Sequence, residues 1–191
     1  RPITFRCIRG EKVNIQAADL PRSFELVRKP DVRFDGLYFR GDLFWREGFV
    51  VRYSPRVQIT RCLNAMVIAD HSPNLLVRNC VLRGGWNAVR LSRSDDAIVE
   101  DNVFVKTILR QVKCDSRAVV RRNVFCECTR TKTHQTLLEL SEKVTETDNG
   151  FHVRWPEAEK LAVNNMPLPQ YRAATGSNAV AANPVMVGTT G

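Results

Sequence analysis

Three stretches of this 191-residue sequence gather side chains able to hold a metal or move a proton: Cys126-x-Cys128 with His134 downstream, the acidic pair Asp95 and Asp96, and His71 within ADHSP. A structural zinc site needs two closely spaced ligand pairs, and one Cys-x-Cys with one distant histidine supplies a single pair, so no metal site is expected. Two adjacent aspartates at a turn are ordinary turn chemistry. His71 falls at an inward-leaning or turn position and reads as a hydrogen-bonded structural group, while His134 in a loop and His152 in the tail form no constellation. No spacing assembles a Ser-His-Asp or Cys-His nucleophile.

Charge is the stronger signal. The 29 Lys and Arg outnumber the 20 Asp and Glu, giving a net charge of +9. Such a chain attracts polyanions: nucleic acid, an acidic membrane surface or an acidic polysaccharide. Its arginines are spread through alternating segments instead of clustering on one helix, and no helix-turn-helix, zinc finger or aromatic RNA-binding signature occurs, so nucleic acid is not an expected partner. No apolar run approaches a membrane span and no leader with a basic start and apolar core is visible, so no membrane partner is expected either. The first residue is arginine, which reads as a mature, trimmed or excerpted chain.

A repeated phrase carries these charges. RAVVRRNVFCE lies over DAIVEDNVFVK and, more loosely, over PNLLVRNCVLR. The overlay puts Ala118 on Ala97 and Leu75, Val120 on Val99 and Val77, Asn123 on Asn102 and Cys80, and Phe125 on Phe104 and Leu82. Further copies supply Val32, Phe34, Leu37 and Phe39; Val57, Ile59, Cys62 and Asn64; and Val144, Glu146, Asn149 and Phe151, with Glu146 expected to point away from the interior. Copies beginning at Val32, Val57, Leu75, Ala97, Ala118 and Val144 step by 18 to 26 residues, the period of a solenoid with insertions in its loops. Apolar, mostly β-branched residues at every second place demand strands. A second alternating segment precedes each phrase, FVVRYS, MVIADHS, NAVRLSRS, ILRQVKC and TLLELSEK, with Val51, Ala69, Leu91, Val112 and Leu140 in register. About three short strands per unit, each unit burying its apolar face on the next, make a parallel β-helix.

Asparagine explains the repetition. Inward amides of Asn102, Asn123 and Asn149, stacked at about 4.8 Å per coil, bond one another and the turn backbone. Phe104, Phe125 and Phe151 stack two positions on, while Leu37, Cys62 and Cys80 continue the asparagine column as packed apolar groups, with no disulfide indicated. Residues 1–151 form the coils. Residues 152–191 close the same domain through a short helix, PLPQYRAATG, ending at Gly176, and a last apolar run, Val185 to Val187, with Trp155 and Tyr171 as packing groups. The 43% hydrophobic residues suffice for this one continuous core.

With repeats and tail together, the chain resembles the right-handed parallel β-helix proteins of the pectate-lyase-like superfamily, particularly bacterial secreted polysaccharide-lyase-like members. PITFRCIRGEKVNI is similar to their first coil, VRFDGLYFRG to their "DG" coil, RNVF and DNVF to their asparagine-ladder repeat, and LPQYRAATGSNAVAANPVMVG to their closing segment, so the likeness covers nearly the whole chain. It implies an all-β, right-handed parallel β-helix, a secreted or periplasmic location, a monomer, and an acidic polysaccharide as partner. The activity implied is β-elimination on a uronate-containing glycan. The alternative is a non-catalytic carbohydrate-binding or structural β-helix module, or a fragment of a longer protein. The Gly-His-Gly and Arg-Ile-Lys motifs that accompany the acidic pair of pectin hydrolases are absent, which leaves Asp95 and Asp96 as a turn.

In such lyases the substrate runs along the outer face of one parallel sheet, which the resemblance assigns to the segments FVVRYS through TLLELSEK. Their outward positions are expected to form one column of Arg52, Asp70, Ser92 and Lys113 and another of Val50, Ile68, Arg90, Gln111 and Glu139. Elimination needs a base for the proton beside the carboxylate and a cation to neutralise that carboxylate. Lys113 and Arg90 are the candidates for those catalytic roles, and Arg52, Asp70, Ser92, Gln111 and Glu139 for substrate binding. No cofactor is required, although Asp70 with Glu139 offers oxygen ligands to calcium. The same residues also have an ordinary use in solvent contact and cross-strand pairing.

Overall fold

Short runs of alternating apolar residues form strands of two to six residues, and successive strands along the chain go to three different parallel sheets. The computed structural model describes residues 2–7, 14–15, 22–39, 47–83, 86–105, 110–126, 137–152, 163–164 and 166–181. The first sheet stacks Ile3–Arg6, Val32–Asp35, Gln58–Thr60, Leu76–Arg78, Ala97–Glu100, Ala118–Arg121 and Val144–Thr147. The second stacks Asn14–Ile15, Tyr38–Phe39, Leu63–Ala65, Val81–Arg83, Val103–Val105, Val124–Cys126, Gly150–His152 and Val180–Ala181. The third runs from Arg22–Val27 through Glu47–Arg52, Val67–Asp70, Asn87–Ser92 and Arg110–Cys114 to Leu138–Leu140. This is the all-β parallel β-helix that the repeats predict. One helix, Leu168–Thr175, ends at Gly176 in the left-handed conformation (φ 70°), and Val180–Ala181 pairs with Gly150–His152, joining the closing segment to the coils. Val185 to Val187, Trp155, Cys128 and His134 lie outside the described residues.

The core is built by column. Ala97 pairs with Ala118 and Val99 with Val77 and Val120. The rings of Phe104, Phe125 and Phe151 stack with centroids 4.7 and 5.1 Å apart. Toward the N-terminus, Phe34 of the first sheet, Phe39 of the second and Phe49 of the third converge, with centroids 4.8 and 5.0 Å from that of Phe49.

Three expected positions differ. A bulge makes Ala65, not Asn64, the partner of Leu82; Asn64 is the extra residue and takes φ 54°. Cys114, not Val112, stands beside Leu91 and Leu140, while Val112 pairs with Val89 and Leu138. Glu146 pairs with Val120 and points into the interior, only 6% exposed, because Asn149 Nδ2 (2.6 Å) and Ser177 Oγ donate to its carboxylate.

Two ladders of buried side chains satisfy the corner amides. Where the first sheet turns into the second, the Cys62 N–H donates to Cys80 Sγ (3.4 Å), the Cys80 N–H to Asn102 Oδ1 (2.9 Å), the Asn102 N–H to Asn123 Oδ1 (3.0 Å) and the Asn123 N–H to Asn149 Oδ1 (2.8 Å). Each amide Nδ2 also donates to a strand carbonyl one coil back: Asn102 to Val77, Asn123 to Val99 and Asn149 to Val120. Cys62 and Cys80 are free thiols, and the Cys80 sulfur stands in for an amide oxygen. Where the third sheet ends, the Ser54 N–H donates to Ser72 Oγ, Ser72 to Ser94 and Ser94 to Ser116, at 3.1, 3.0 and 2.8 Å.

Replacing Asn123 by Leu leaves the Asn102 N–H and the Val99 carbonyl without partners inside the coil, so it is expected to cost about 1–3 kcal/mol in denaturant unfolding. Asn79, one position outside the ladder and at φ 55°, provides the control: Asn79→Gly should be neutral or slightly stabilising. An unchanged unfolding midpoint for Asn123→Leu would remove the ladder as a source of stability.

Candidate functional site

Register decides which of the expected residues meet. Val50, Ile68, Arg90, Lys113 and Glu139 form one column of the third sheet. Arg52, Asp70 and Ser92 form the next, continued by Asp115, whose Oδ2 accepts a 2.8 Å bond from Ser92 Oγ. Lys113 therefore sits beside Arg90, not beside Ser92. Gln111 is not in the outward row: it falls beside Ala88, fully buried, and its Nε2 donates to the Cys126 carbonyl at 3.2 Å. Val50 is buried as well.

The charges of this face are unevenly matched. Arg90 is exposed and has no carboxylate partner among the described residues. Lys113 Nζ lies 2.6 Å from Glu139 Oε1, and the other oxygen of Glu139 meets Arg110. Arg52 pairs with Glu25 at 3.0 Å. Asp70 accepts two bonds from Arg93, at 3.1 and 2.8 Å. Burial pushes its carboxyl up, but the bonds from Arg93, with the His71 ring close by, outweigh that and leave it below the usual range. Asp70 and Glu139 stand three strands apart, roughly 14 Å at the usual spacing, so the structure does not bring them to one calcium ion. Among the described residues no three metal-binding side chains gather, and of the Cys-x-Cys and histidine set only Cys126 is described.

His71 is the group on this side that sequence reasoning set aside as structural. It occupies the corner after Asp70 at φ 48°, half exposed, with Nδ1 3.2 Å from Asp70 Oδ2. Its ring stacks on Tyr53, centroids 4.8 Å apart and planes 18° from parallel. The signal was present: Tyr53 and His71 each follow Arg52 and Asp70 in consecutive copies and each precede a ladder serine.

A second group of charges lies on the first sheet, over a cleft of about 320 Å³ walled by Arg6, Arg33, Arg61 and Arg78 around Asp35. Asp35, its side chain 8% exposed, accepts from Arg6 Nε (3.0 Å), Arg61 Nε (2.8 Å) and Thr60 Oγ1 (3.0 Å). The Arg61 guanidinium, aided by Thr60 and Arg6, holds its carboxyl below 3.8 against a burial that pushes it up. The same effect recurs down the flanks of the sheet, where Arg56 lowers Asp31, Arg117 lowers Asp96 and Arg122 lowers Asp101.

Comparison of the chain with protein-family models, with curated proteins and with solved structures finds no match. No helix among the described residues is long and apolar enough to cross a membrane.

The lowered carboxylates set an acid dependence. Each is more acidic folded than unfolded, so its contribution is fully present above the ordinary value of 3.8 and is lost as pH falls through the folded value. The melting temperature should drop between about pH 5 and about pH 2. Asp35→Asn should be less stable than the wild type at the upper pH and show a shallower drop; parallel curves for the two proteins would contradict this account.

Proposed function

We propose that the outer face of the third sheet binds a uronate-containing glycan and that the protein acts on it as a polysaccharide-lyase-like β-helix. The observation that carries this reading is the adjacency of Arg90 and Lys113 in one column, with Arg90 unmatched by any carboxylate among the described residues. Adjacent coils place cations roughly 4.8 Å apart on a straight, open surface, suited to carboxylates that repeat along a polymer. In the pectate-lyase-like proteins that the sequence resembles, substrate runs along the outer face of one parallel sheet, which supports this assignment.

Elimination removes the proton beside the uronate carboxylate, forms a carbon–carbon double bond and expels the glycosidic oxygen, which takes up a proton. Held by Glu139 on the same face, the Lys113 ammonium suits carboxylate neutralisation, as the Arg90 guanidinium does. The group placed to take a proton is His71: Asp70 faces Nδ1, which leaves Nε2 for substrate. The engagement of Lys113 by Glu139 also favours a second reading, a binding module without turnover.

Incubation with pectate, alginate and glycosaminoglycans, followed by near-ultraviolet absorbance, reads out the unsaturated product. With the accepted glycan, Arg90→Ala should lower kcat roughly 100-fold and His71→Asn at least as much, with unfolding curves unchanged. Arg83→Ala, an equal loss of charge on the second sheet, should change affinity only modestly. Binding without product would move the protein to the second reading. Equal effects at Arg90 and Arg83 would reduce the face to diffuse positive charge.

A further inference from the structure

We propose that the cleft on the first sheet is a separate binding site for a single oxyanion group, the carboxylate or sulfate of one acidic sugar residue or a free anion of the same chemistry. Three arginines, Arg6, Arg33 and Arg61, face one carboxylate there, Asp35, while Arg78 closes the far wall from a neighbouring corner, where it shares Glu100 and Asp101 with Arg121 and Arg122.

Asp35 does not neutralise the site so much as organise it. It holds Arg61 through two nitrogens and Arg6 through Nε, yet both guanidinium side chains remain 63% and 66% exposed and keep further N–H donors for a ligand. Arg78 is likewise fixed from outside the cleft, by Asp101 at 3.1 Å. Arginines whose orientation is already set lose little freedom on gripping an oxyanion, and their planar forks match its geometry. Arg33 completes the set: it stands in the outward row of Thr4, Arg33, Gln58 and Leu76, exposed and without a carboxylate partner among the described residues.

Size limits the ligand. A volume of about 320 Å³ is near the lower end of small-molecule pockets, which span roughly 300–1,000 Å³ and bury most of their ligand, so one anionic unit fits better than a long chain. Beyond Leu76, at the edge of the cleft, the same outward row continues as Ile98 and Val119, with no charge to extend the grip. Gln58 adds a polar donor, and Leu76 offers an apolar surface for a sugar ring.

The test is isothermal titration of the whole chain with sodium sulfate and with monomeric galacturonate at constant ionic strength. Saturable binding is expected, and Arg33→Ala should weaken it about tenfold without loss of folding, since Arg33 holds no ion pair. Arg90→Ala and Arg83→Ala should bind as the wild type does, which separates this site from the third-sheet face whatever becomes of the glycan reading. Tighter galacturonate than sulfate identifies an acidic sugar as the ligand; equal or tighter sulfate identifies a free oxyanion. The proposal is overturned if the wild type shows no saturable binding of either, or if Arg33→Ala and Arg83→Ala weaken binding alike.

Discussion

At two corners of the coil, where the first sheet turns into the second and where the third sheet ends, a backbone N–H is turned into the interior, away from water, and must be met there. A buried donor left unmet costs about 1–3 kcal/mol, and the corners recur in each coil. The solution is a borrowed acceptor: the side chain that serves a corner belongs to the next coil, an amide oxygen in Asn102, Asn123 and Asn149, a hydroxyl in Ser72, Ser94 and Ser116, a thiol in Cys80. Because each acceptor has one position from which it can reach, the ladders lock coil onto coil in a single register. The facing of Arg90 onto Lys113, and of Arg33 onto Gln58, follows from that lock.

The corners impose a second condition. Fifteen non-glycine residues among those described have positive φ, including Arg28, Tyr53, Arg56, Arg61, His71, Arg93 and Arg122. Each such conformation is disfavoured by about 1 kcal/mol or more for a residue with a Cβ, so the surrounding structure must hold it. Many are held by charge from coil to coil: Arg56 forks onto Asp31, Arg117 onto Asp96 and Arg122 onto Asp101. Much of the arginine content is thereby committed to joining coils, and net charge alone says little about binding. The arginines left without such a partner are the informative ones.

Sequence periodicity shows the asparagine column and the phenylalanine stack because both recur at the same offset from the same apolar alternation. It is blind to a shift of two residues, which leaves every side chain on its original face. That is how Val112 takes the place of Cys114: the corner from Cys114 to Ala118 is two residues shorter than that from Leu91 to Ala97, one lost on each side of the ladder serines Ser94 and Ser116. Glu146 was unreadable for another reason, since one of the groups that satisfies it, Ser177, comes from the closing segment some thirty residues on. Of the third-sheet face, Arg90 and Lys113 were legible as outward groups but assigned to different columns, and Gln111 was not legible as buried. The first-sheet cleft draws Arg6, Arg33, Arg61 and Arg78 from four separate coils, with no local pattern to mark it.

The ladders have a direction. Every N–H of the two ladders, from Ser54 to Ser94 and from Cys62 to Asn123, looks toward the C-terminus, to a side chain lying 18 to 26 residues further along. During synthesis at roughly 5–20 residues per second, the acceptor for each new corner is translated about 1–5 s after the corner itself. A growing chain thus always carries one open rung at its leading edge, and each coil is sealed only by the arrival of its successor.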